Sequence, residues 1–258
     1  MSLEGRVAAI TGGTAGIGRA IAEAYLAAGA EVTLMARNAE KAQQVLTEIN
    51  AGDRCTFIQG DALQQSDVEG FVDATVERYG KLDILVNNAG GASDLQPVAL
   101  LTDEAFDSTI RWNLYATFWA CRRAVGPMVE RGFGRIINIS SVEGKLGKPA
   151  MGAYAAAKHA INGLTKSLAH EVGTAGVTVN AVCPGLVITD IVRDTGPATA
   201  EAMGLTFDEM VDMFSQESAV KRPTTLEEVA ALALLLASDQ GSGITGQALS
   251  VDGGTTPY

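Results

Sequence analysis

The stretch from Arg6 to Ala30 reads RVAAITGGTAGIGRAIAEAYLAAGA and joins a short strand to a helix through a glycine-rich turn. Its first residues, Arg6 to Thr11, form a mostly apolar run of strand length. From Gly16 onward the apolar side chains recur at helical spacing, and Gly29 ends that pattern. A strand that leads directly into a helix is the repeating unit of parallel sheets. The stretch therefore predicts an α/β protein if the same alternation continues along the chain.

The alternation of strand and helix does continue to the end of the chain. Strands are expected at residues 6–11, 31–36, 54–60, 82–87, 133–140, 177–182 and 248–251, and helices at residues 16–30, 39–50, 66–79, 102–131, 151–173 and 226–237. Ser66 is the expected N-cap of the third helix. The strands are continuous apolar runs, which is typical of strands buried on both faces. We therefore predict a single α/β domain over residues 1–258, with a doubly wound, seven-stranded parallel sheet and helices on both faces.

One long segment, residues 190–223, lies outside this alternation. It shows only weak helical patterning, around residues 198–213. In a compact domain an insertion of this length is usually functional, most often as a lid over a site. The alternative is a surface excursion without a role. We expect a substrate lid.

The composition is typical of a compact globular protein, with 47% hydrophobic and 19% charged residues. A formal net charge of −11 argues against a nucleic-acid binder, which needs a basic surface. The longest apolar runs, such as residues 230–237, are too short to span a membrane. Cys55, Cys121 and Cys183 are far apart, and no Cys or His spacing indicates a metal site. With no secretion signal recognised, these features favour a soluble, cytoplasmic protein with reduced thiols.

The glycine-rich turn has the form of a phosphate-binding site. It reads Thr11-Gly12-Gly13-Thr14-Ala15-Gly16-Ile17-Gly18 and opens a helix. Glycines allow a tight turn and let a pyrophosphate approach backbone N–H groups, where the helix dipole favours negative charge. The spacing G-x-x-x-G-x-G differs from the common G-x-G-x-x-G pattern, and no Lys-Ser/Thr pair of a P-loop follows. Its position after the first strand predicts nucleotide binding rather than a plain tight turn.

The end of the second strand bears on which nucleotide binds. Many dinucleotide sites place a carboxylate there for the ribose hydroxyls, whereas this chain has Ala36 followed by Arg37. A guanidinium pairs well with a 2′-phosphate, and no carboxylate stands at the strand end to repel that phosphate. The pattern favours NADP(H) over NAD(H). The alternative is that Arg37 is a solvated charge at the start of a helix.

Tyr154 and Lys158 are the first candidates for catalysis. They stand at i and i+4 in an Ala-rich helical pattern, so both side chains project from one face. A neighbouring ammonium favours the phenolate, so Lys158 is expected to lower the pKa of Tyr154. Ser141, in the loop before this helix, offers a hydroxyl that can orient a carbonyl oxygen. Taken alone, a Tyr-x-x-x-Lys pair on a helix is most often an ordinary surface pair.

The ordered set of motifs resembles the short-chain dehydrogenase/reductase family nearly from end to end. The motifs are the glycine turn, Asp61 after the third strand, Asn87-Asn88-Ala89-Gly90 after the fourth, Asn113, Ser141, Tyr154-x-x-x-Lys158, Pro184-Gly185-x-Val187-x-Thr189, Ile244-Thr245-Gly246-Gln247 and Val251-Asp252-Gly253-Gly254. Each motif is short, but the set at these spacings is highly specific. The resemblance implies a Rossmann fold of the single-domain branch, similar to 3-oxoacyl and polyketide ketoreductases.

The resemblance also implies catalytic roles. Tyr154 would be the general acid in carbonyl reduction and the base in alcohol oxidation. Ser141, rather than its neighbour Ser140, would orient the carbonyl group. Lys158 would bind the nicotinamide ribose and lower the pKa of the phenol. Asn113 would interrupt its helix and hold a water molecule that relays protons to Lys158.

By the same resemblance the nucleotide would lie along several loops. The expected contacts are Gly12, Thr14, Ala15, Gly16, Ile17, Gly18, Arg37, Asp61, Ala62, Asn88, Ala89, Gly90, Tyr154, Lys158, Pro184, Gly185, Val187 and Thr189. Asp61 and Ala62 would lie at the adenine ring, and Val187 and Thr189 at the nicotinamide carboxamide. Asn87 is expected to tie neighbouring strands together instead.

The substrate pocket is less well defined by the sequence. Its candidates are Gly91–Gln96, Glu143, Met151, Leu186 and residues 190–223. Met151, three residues before Tyr154, predicts an apolar contact, whereas Glu143 is either a polar contact or a solvent-facing carboxylate. Lys148 and Arg193 are either ligands for a carboxylate or phosphate group or ordinary surface charges.

The family resemblance, together with these residues, implies an NADP(H)-dependent oxidoreductase that reduces a ketone or 3-oxo group to a secondary alcohol, or catalyses the reverse reaction. The alternatives are an NAD(H)-dependent secondary-alcohol or hydroxy-acid dehydrogenase and, more remotely, a non-catalytic nucleotide-binding protein. The expected partner is a small carbonyl or alcohol substrate, without nucleic acid, membrane or metal. By analogy with relatives that assemble through the C-terminal helix and residues 251–258, a homotetramer is expected.

Overall fold

The computed structural model describes residues 1–92 and 95–256, and these contain the predicted parallel sheet. Its strands are β1 (Val7–Thr11), β2 (Glu31–Ala36), β3 (Cys55–Gln59), β4 (Ile84–Asn87), β5 (Gly134–Ile139), β6 (Val177–Pro184) and β7 (Ala248–Val251). They lie side by side in the order β3-β2-β1-β4-β5-β6-β7, and every neighbouring pair is parallel. The seven-stranded sheet predicted from the apolar runs is confirmed.

Helices cover both faces of this sheet. In the described part of the chain they are α1 (Gly16–Ala27), α2 (Ala39–Ile49), α3 (Gln65–Tyr79), α4 (Asp103–Ile110), α5 (Ala116–Arg131), α6 (Gly152–Val172), α7 (Asp190–Ala202), α8 (Phe207–Ser215) and α9 (Leu226–Ala237). Helices α1 and α9 pack on one face, where the buried Tyr25 hydroxyl donates to the carbonyl of Ala233 at 3.0 Å. Helices α3, α5 and α6 pack on the other face around side chains such as Phe71 and Trp119. The chain is a single, doubly wound Rossmann-like domain.

The N-cap predicted for the third helix is wrong. Helix α3 begins at Gln65, and Gln64 occupies the N-cap position without a side-chain cap. The hydroxyl of Ser66 instead donates to Asp67, whose other carboxyl oxygen accepts the backbone N–H of Asp61 at 2.9 Å. The first turn of α3 is therefore used to hold the loop after β3.

The helix predicted over residues 102–131 is divided by one π-helical turn. Helix α4 ends at Ile110, Arg111–Tyr115 form the π-helical turn, and α5 follows at once. Asn113 lies fully buried within this turn, as the predicted interruption requires. Such turns are frequent at functional sites because they move one side chain out of the regular helical ladder.

The segment after β6 forms two helices that close back on the sheet. Helices α7 and α8 occupy most of the insertion predicted at residues 190–223. Its two ends meet in a parallel bridge between Val187 and Thr224, where the N–H of Thr224 donates to the carbonyl of Leu186 at 2.8 Å. At Gly196 a Cβ would meet the ring of Phe207 at 2.3 Å, so the glycine lets α7 and α8 pack closely. The insertion is thus a compact helical pair with a closed base.

The strand order places a crevice at one edge of the sheet. Chain order runs outward in opposite directions from the boundary between β1 and β4. In open parallel sheets the connections on either side of such a boundary diverge, and they leave a cleft beyond the carboxyl ends of the strands. None of the helices in the described residues has the length and apolar character needed to cross a membrane.

Candidate active site

A cavity of about 590 Å³ opens at the carboxyl ends of the strands. Its volume lies within the range of roughly 300–1,000 Å³ that is typical of small-molecule sites. Most of the residues predicted from the sequence line it: Gly12, Thr14, Ala15, Gly16, Ile17, Arg37, Asp61, Ala62, Asn88, Ala89, Gly90, Ser141, Glu143, Met151, Tyr154, Lys158, Pro184, Gly185, Leu186, Val187 and Thr189. The fold therefore gathers loops from separate strands into one wall.

The glycine turn after β1 has the backbone that close approach of a ligand requires. Gly12 and Gly16 have φ angles of +65° and +49°, in the left-handed region that favours glycine. A Cβ at Gly12 would lie 2.9 Å from Asn88 Nδ2, and one at Gly16 would lie 3.1 Å from Thr189 Cγ2. Any side chain at either position would narrow the cleft at the N-terminus of α1. The turn suits the pyrophosphate of a dinucleotide.

Hydrogen bonds tie this turn to the loop after β4. The Asn88 side-chain amide donates to the carbonyls of Thr11 and Gly12, each at 3.0 Å. In return the Thr11 hydroxyl oxygen accepts the backbone N–H groups of Asn88 and Ala89, also at 3.0 Å. The two loops on either side of the strand-order reversal are thus held as one unit.

Two of the predicted residues lie behind the cavity wall instead of in it. A Cβ at Gly18 would lie 2.4 Å from the carbonyl oxygen of Gly12, so this glycine serves packing beneath the turn. The Asn113 side chain accepts from the N–H of Gly91 at 3.1 Å, and it donates to the carbonyls of Gly91 and Thr109 at 3.0 Å each. Asn113 therefore supports the loop after β4, and its predicted proton relay stays a prediction.

Arg37 lies exposed at the rim of the cavity, beside the first turn of α2. Asn38 caps that helix through its side-chain oxygen, which accepts the N–H of Lys41 at 2.8 Å. The Gln59 amide donates to the carbonyl of Arg37 at 2.9 Å. A shallow adjoining pocket is lined by Arg37, Asn38, Ala39, Glu40 and Gln59. A guanidinium and a helix N-terminus thus face the same space, which also contains one carboxylate, Glu40.

Asn87 has the structural role that the sequence predicted for it. Its amide donates to the side-chain oxygen of Asn138 at 2.8 Å, which joins β4 to β5 in the buried centre of the sheet. Asn138 in turn donates to the hydroxyl of Thr165 on α6 at 2.9 Å. This buried chain of polar contacts fixes α6 against the sheet.

Helix α6 carries Tyr154 and Lys158 into the middle of the cavity wall. The Lys158 side chain is buried, and its ammonium donates to the carbonyl of Ile139 at 2.8 Å. The ammonium lies 5.4 Å from the centre of the Tyr154 ring. Burial lowers the pKa of Lys158 to about 8, because the interior disfavours its charged form. The predicted juxtaposition of the two side chains is present.

The predicted direction of the Tyr154 pKa shift is wrong for the protein alone. Burial raises the pKa of this phenol to about 12, which outweighs the opposing hydrogen bond from Ser141. The negative charge of the Glu143 carboxylate pushes the pKa further in the same direction. Tyr154 is therefore held in its protonated, proton-donating form.

Ser140 and Ser141 have different partners. The hydroxyl of Ser140 is buried and donates to the carbonyl of Lys158 at 3.3 Å, on the backbone of α6. The hydroxyl oxygen of Ser141 accepts the N–H of Glu143 at 3.1 Å, and this hydroxyl is close enough to Tyr154 to oppose the rise in its pKa. Of the two hydroxyls, that of Ser141 is the one placed beside the phenol.

The end of the cavity beyond Tyr154 is lined by residues from distant parts of the chain. Glu143, Met151 and Leu186 lie there as predicted, and Lys148 also lines the wall, whereas Arg193 does not. Phe214 and Glu217 of the predicted lid segment lie in the same wall. Sequence reasoning missed Trp112 and Thr255, which come from the π-helical turn and the C-terminal segment, and no motif singles these two out. The candidates Ser93 and Asp94 lie outside the described residues.

Comparisons with known proteins agree with this geometry. Residues 6–200 match the family model described as short chain dehydrogenase. D-beta-hydroxybutyrate dehydrogenase of Rhizobium meliloti is 40% identical, and the match covers 97% of this chain and 98% of the relative. A putative ketoacyl reductase of the monensin polyketide synthase of Streptomyces virginiae is also 40% identical, with 96% of each chain covered. The crystal structure of a variant of actinorhodin polyketide ketoreductase with NADPH superimposes with a TM-score of 0.93 at 36% identity, and 98% of each chain is covered.

Proposed function

Because this chain belongs to the short-chain dehydrogenase family, we propose that it reduces a ketone or 3-oxo group to a secondary alcohol with NADPH, or catalyses the reverse reaction. It is an oxidoreductase that acts on CH–OH and C=O groups, and its fold is a nucleotide-binding fold. The residues of the cavity support a particular cofactor and a particular route for the proton.

One observation carries the proposal. Ser141, Tyr154 and Lys158 converge on one wall of a cavity whose other end is the glycine turn. A proton donor, an orienting hydroxyl and a cation thus meet where a nicotinamide ring would lie if the pyrophosphate occupied the turn. A protein that only stored a nucleotide would have no use for a phenol beside a buried ammonium at this place.

In reduction, Tyr154 donates its phenolic proton to the carbonyl oxygen of the substrate. NADPH, when bound, supplies the hydride to the carbonyl carbon, so that the product is a neutral alcohol. The hydroxyl of Ser141 donates to the same carbonyl oxygen and orients it toward the phenol. In the reverse direction the tyrosinate accepts the proton of the alcohol.

Lys158 stabilises the phenolate that this transfer leaves behind. Its ammonium is fixed by Ile139 on the same wall, so little reorganisation is needed when the negative charge develops. Because its pKa is raised, Tyr154 gives up its proton only when a nearby cation stabilises the resulting phenolate. Lys158 provides that cation. The nicotinamide ribose hydroxyls are the proposed additional partners of Lys158.

The choice of NADP(H) is supported by Arg37. It stands at the carboxyl end of β2, beside the capped N-terminus of α2, where the 2′-phosphate of the adenosine ribose is expected. The actinorhodin ketoreductase whose structure is similar was crystallised with NADPH. The alternative, an NAD(H)-dependent hydroxy-acid dehydrogenase, is supported by the similarity to D-beta-hydroxybutyrate dehydrogenase.

Helices α7 and α8 are proposed to act as the lid of this cavity. Exposed ion pairs hold the lid segment: Lys41 with Asp190 at the start of α7, Lys148 with Glu217 after α8, and Arg222 with Glu228 of α9 at its base. Exposed ion pairs stabilise a closed arrangement by only about 0–1 kcal/mol each, so the lid segment can still open. The homotetramer, the cytoplasmic location and the contacts of residues 251–258 stay predictions.

The decisive experiment is a panel of ketones and secondary alcohols assayed with both nucleotides. Absorbance of the reduced nicotinamide reports turnover in either direction. Turnover that is faster with NADP(H) than with NAD(H) is expected. No turnover across a broad panel would favour the non-catalytic alternative, and a preference for NAD(H) with 3-hydroxy acids would favour the hydroxy-acid dehydrogenase.

A further inference from the structure

Glu143 is a buried carboxylate in the cavity wall with an unsatisfied oxygen. Only 4% of its surface is exposed, and it lines the same cavity as Tyr154. Its Oε2 has no hydrogen-bond partner among the residues that the structure describes. Buried polar atoms are nearly always paired, because an unpaired one loses its hydration without compensation. A group that enters the cavity is the natural partner.

The position of this carboxylate is fixed by the chain around it. The Ser141 hydroxyl caps the short helical turn Val142–Gly144 by accepting the N–H of Glu143. Asn162 on α6 donates to the carbonyl of Gly144 at 2.8 Å. A Cβ at Gly144 would lie 2.7 Å from the same Asn162 amide, so the turn sits directly on α6. The backbone that carries Glu143 is therefore held in place against α6.

The charges around Glu143 act on its pKa in opposite directions. Burial raises its pKa, and the charge of Glu217 acts in the same direction, while Lys148 and His159 oppose it. The ammonium of Lys148 is already paired with Glu217 and lies 4.6 Å from the centre of the Phe214 ring. Beyond Lys158, this end of the described wall thus offers no unpaired cation to a substrate carboxylate.

Resting on the function proposed above, we propose that the substrate carries a hydroxyl or ammonium group near its reacting carbon, and that Glu143 accepts a hydrogen bond from that group. A diol-like or amino-alcohol product fits this site, and a simple hydroxy acid does not. Met151 lies in the same wall and contacts the apolar part of such a molecule. Glu143 thereby selects the substrate, while Tyr154 performs the proton transfer.

The test uses matched probes against the enzyme with its preferred nucleotide. Inhibition constants are measured against a ketone that the panel identifies as a substrate, so the probes themselves need not turn over. The first series is 1,3-butanediol, 4-amino-2-butanol, 2-pentanol and 3-hydroxybutyrate, which differ at one end only. A second series, 1,2-propanediol, 1-amino-2-propanol and 2-butanol, moves the donor one carbon nearer.

In at least one series the hydroxyl or ammonium probe is expected to bind roughly 10- to 100-fold more tightly than the methyl analogue, the range for a hydrogen bond to a charged group. Glu143→Leu should abolish this ratio. Glu143→Gln, which keeps an acceptor of the same shape without the charge, should retain the hydroxyl preference and lose the ammonium preference. The two probes thus distinguish the two kinds of donor.

The matched control is Glu171→Gln, at an exposed carboxylate on α6 outside the cavity wall. It should leave the ratio between donor and methyl probes unchanged. Three results would each overturn the assignment of Glu143. The first is equal affinity of the wild type for donor and methyl probes, and the second is a ratio of these affinities that persists in a folded Glu143→Leu variant. The third is tightest binding of 3-hydroxybutyrate. Failure of the whole ketone panel would instead overturn the proposed function.

Discussion

The two ends of the cavity are built in different ways. The nucleotide end consists of backbone turns at the carboxyl ends of strands, joined by hydrogen bonds between Thr11 and Asn88. The substrate end consists of side chains from α6, the π-helical turn and the lid helices, and it is closed by exposed ion pairs such as Lys148 with Glu217. The nucleotide end is thus a rigid backbone scaffold, whereas the substrate end includes a lid segment held only by weak ion pairs. Differences in substrate choice are expected to arise at the second end.

The largest effect is expected at the junction of the two ends. Tyr154→Phe removes the proton donor and should lower turnover by roughly 10²–10⁴-fold, the usual contribution of a general acid. NADPH affinity, measured by nucleotide fluorescence, should change little because the ring remains. Tyr115→Phe, at an exposed tyrosine outside the cavity wall, is the matched control and should keep full turnover. Turnover near the wild-type level in Tyr154→Phe would refute the mechanism.

A smaller effect is expected from the nucleotide end. Arg37→Asp replaces a guanidinium with a carboxylate, which repels a 2′-phosphate, and should shift the ratio of kcat/KM for NADPH and NADH toward NADH by roughly 10- to 100-fold. Arg193→Asp makes the same change on α7, outside the cavity wall, and should leave the ratio as it is. If the ratio does not change in Arg37→Asp, then Arg37 is not the residue that reads the phosphate.

The pH dependence of reduction tests the buried cation that both ends share. Because burial lowers the pKa of Lys158 to about 8, its ammonium is lost as the pH rises through that value. The phenol, with a pKa of about 12, stays protonated over the same range. Reduction at saturating nucleotide should therefore decline above about pH 8, approaching tenfold per pH unit. A rate that stays constant to about pH 10 would contradict this role of Lys158.

The smallest effect is expected from the latch of the substrate end. Lys148→Met removes the pair with Glu217 and the contact with the Phe214 ring, and should raise KM by roughly two- to fivefold without lowering kcat. Lys166→Met, on the exposed face of α6, is the matched control and should have no effect. A loss of kcat as large as that of Tyr154→Phe would show that Lys148 takes part in the chemistry.

Sequence reasoning succeeded where local pattern and local structure coincide. The bounds of β2, α9 and β7 are those predicted, because each is an apolar run or a capped helix with clear ends. The prediction of an N-cap failed at Ser66, because Ser66 and Asp67 both offer side-chain oxygens at the start of α3. The loop after β3 determines their partners, since the N–H of Asp61 donates to Asp67. The π-helical turn could be anticipated from Asn113 only through the family resemblance.

In the candidate site, the residues could be named from the sequence but their electrostatics could not. Spacing placed Tyr154 beside Lys158, yet the direction of the Tyr154 pKa shift depends on how deeply the phenol is buried. Glu143 was an open choice between a substrate contact and a solvent-facing carboxylate. Only its burial against α6 distinguishes the two.

The sequence by itself determined the order of the elements, the glycine turn, and the identity of the candidate catalytic side chains. These features depend on periodicity and on residue types that lie within a few positions of one another. The tertiary structure decided which of those side chains face the cavity, what their pKa values become, and which residues of the lid segment join them. Those properties arise from burial and from contacts between residues far apart in the chain, and no local pattern records them.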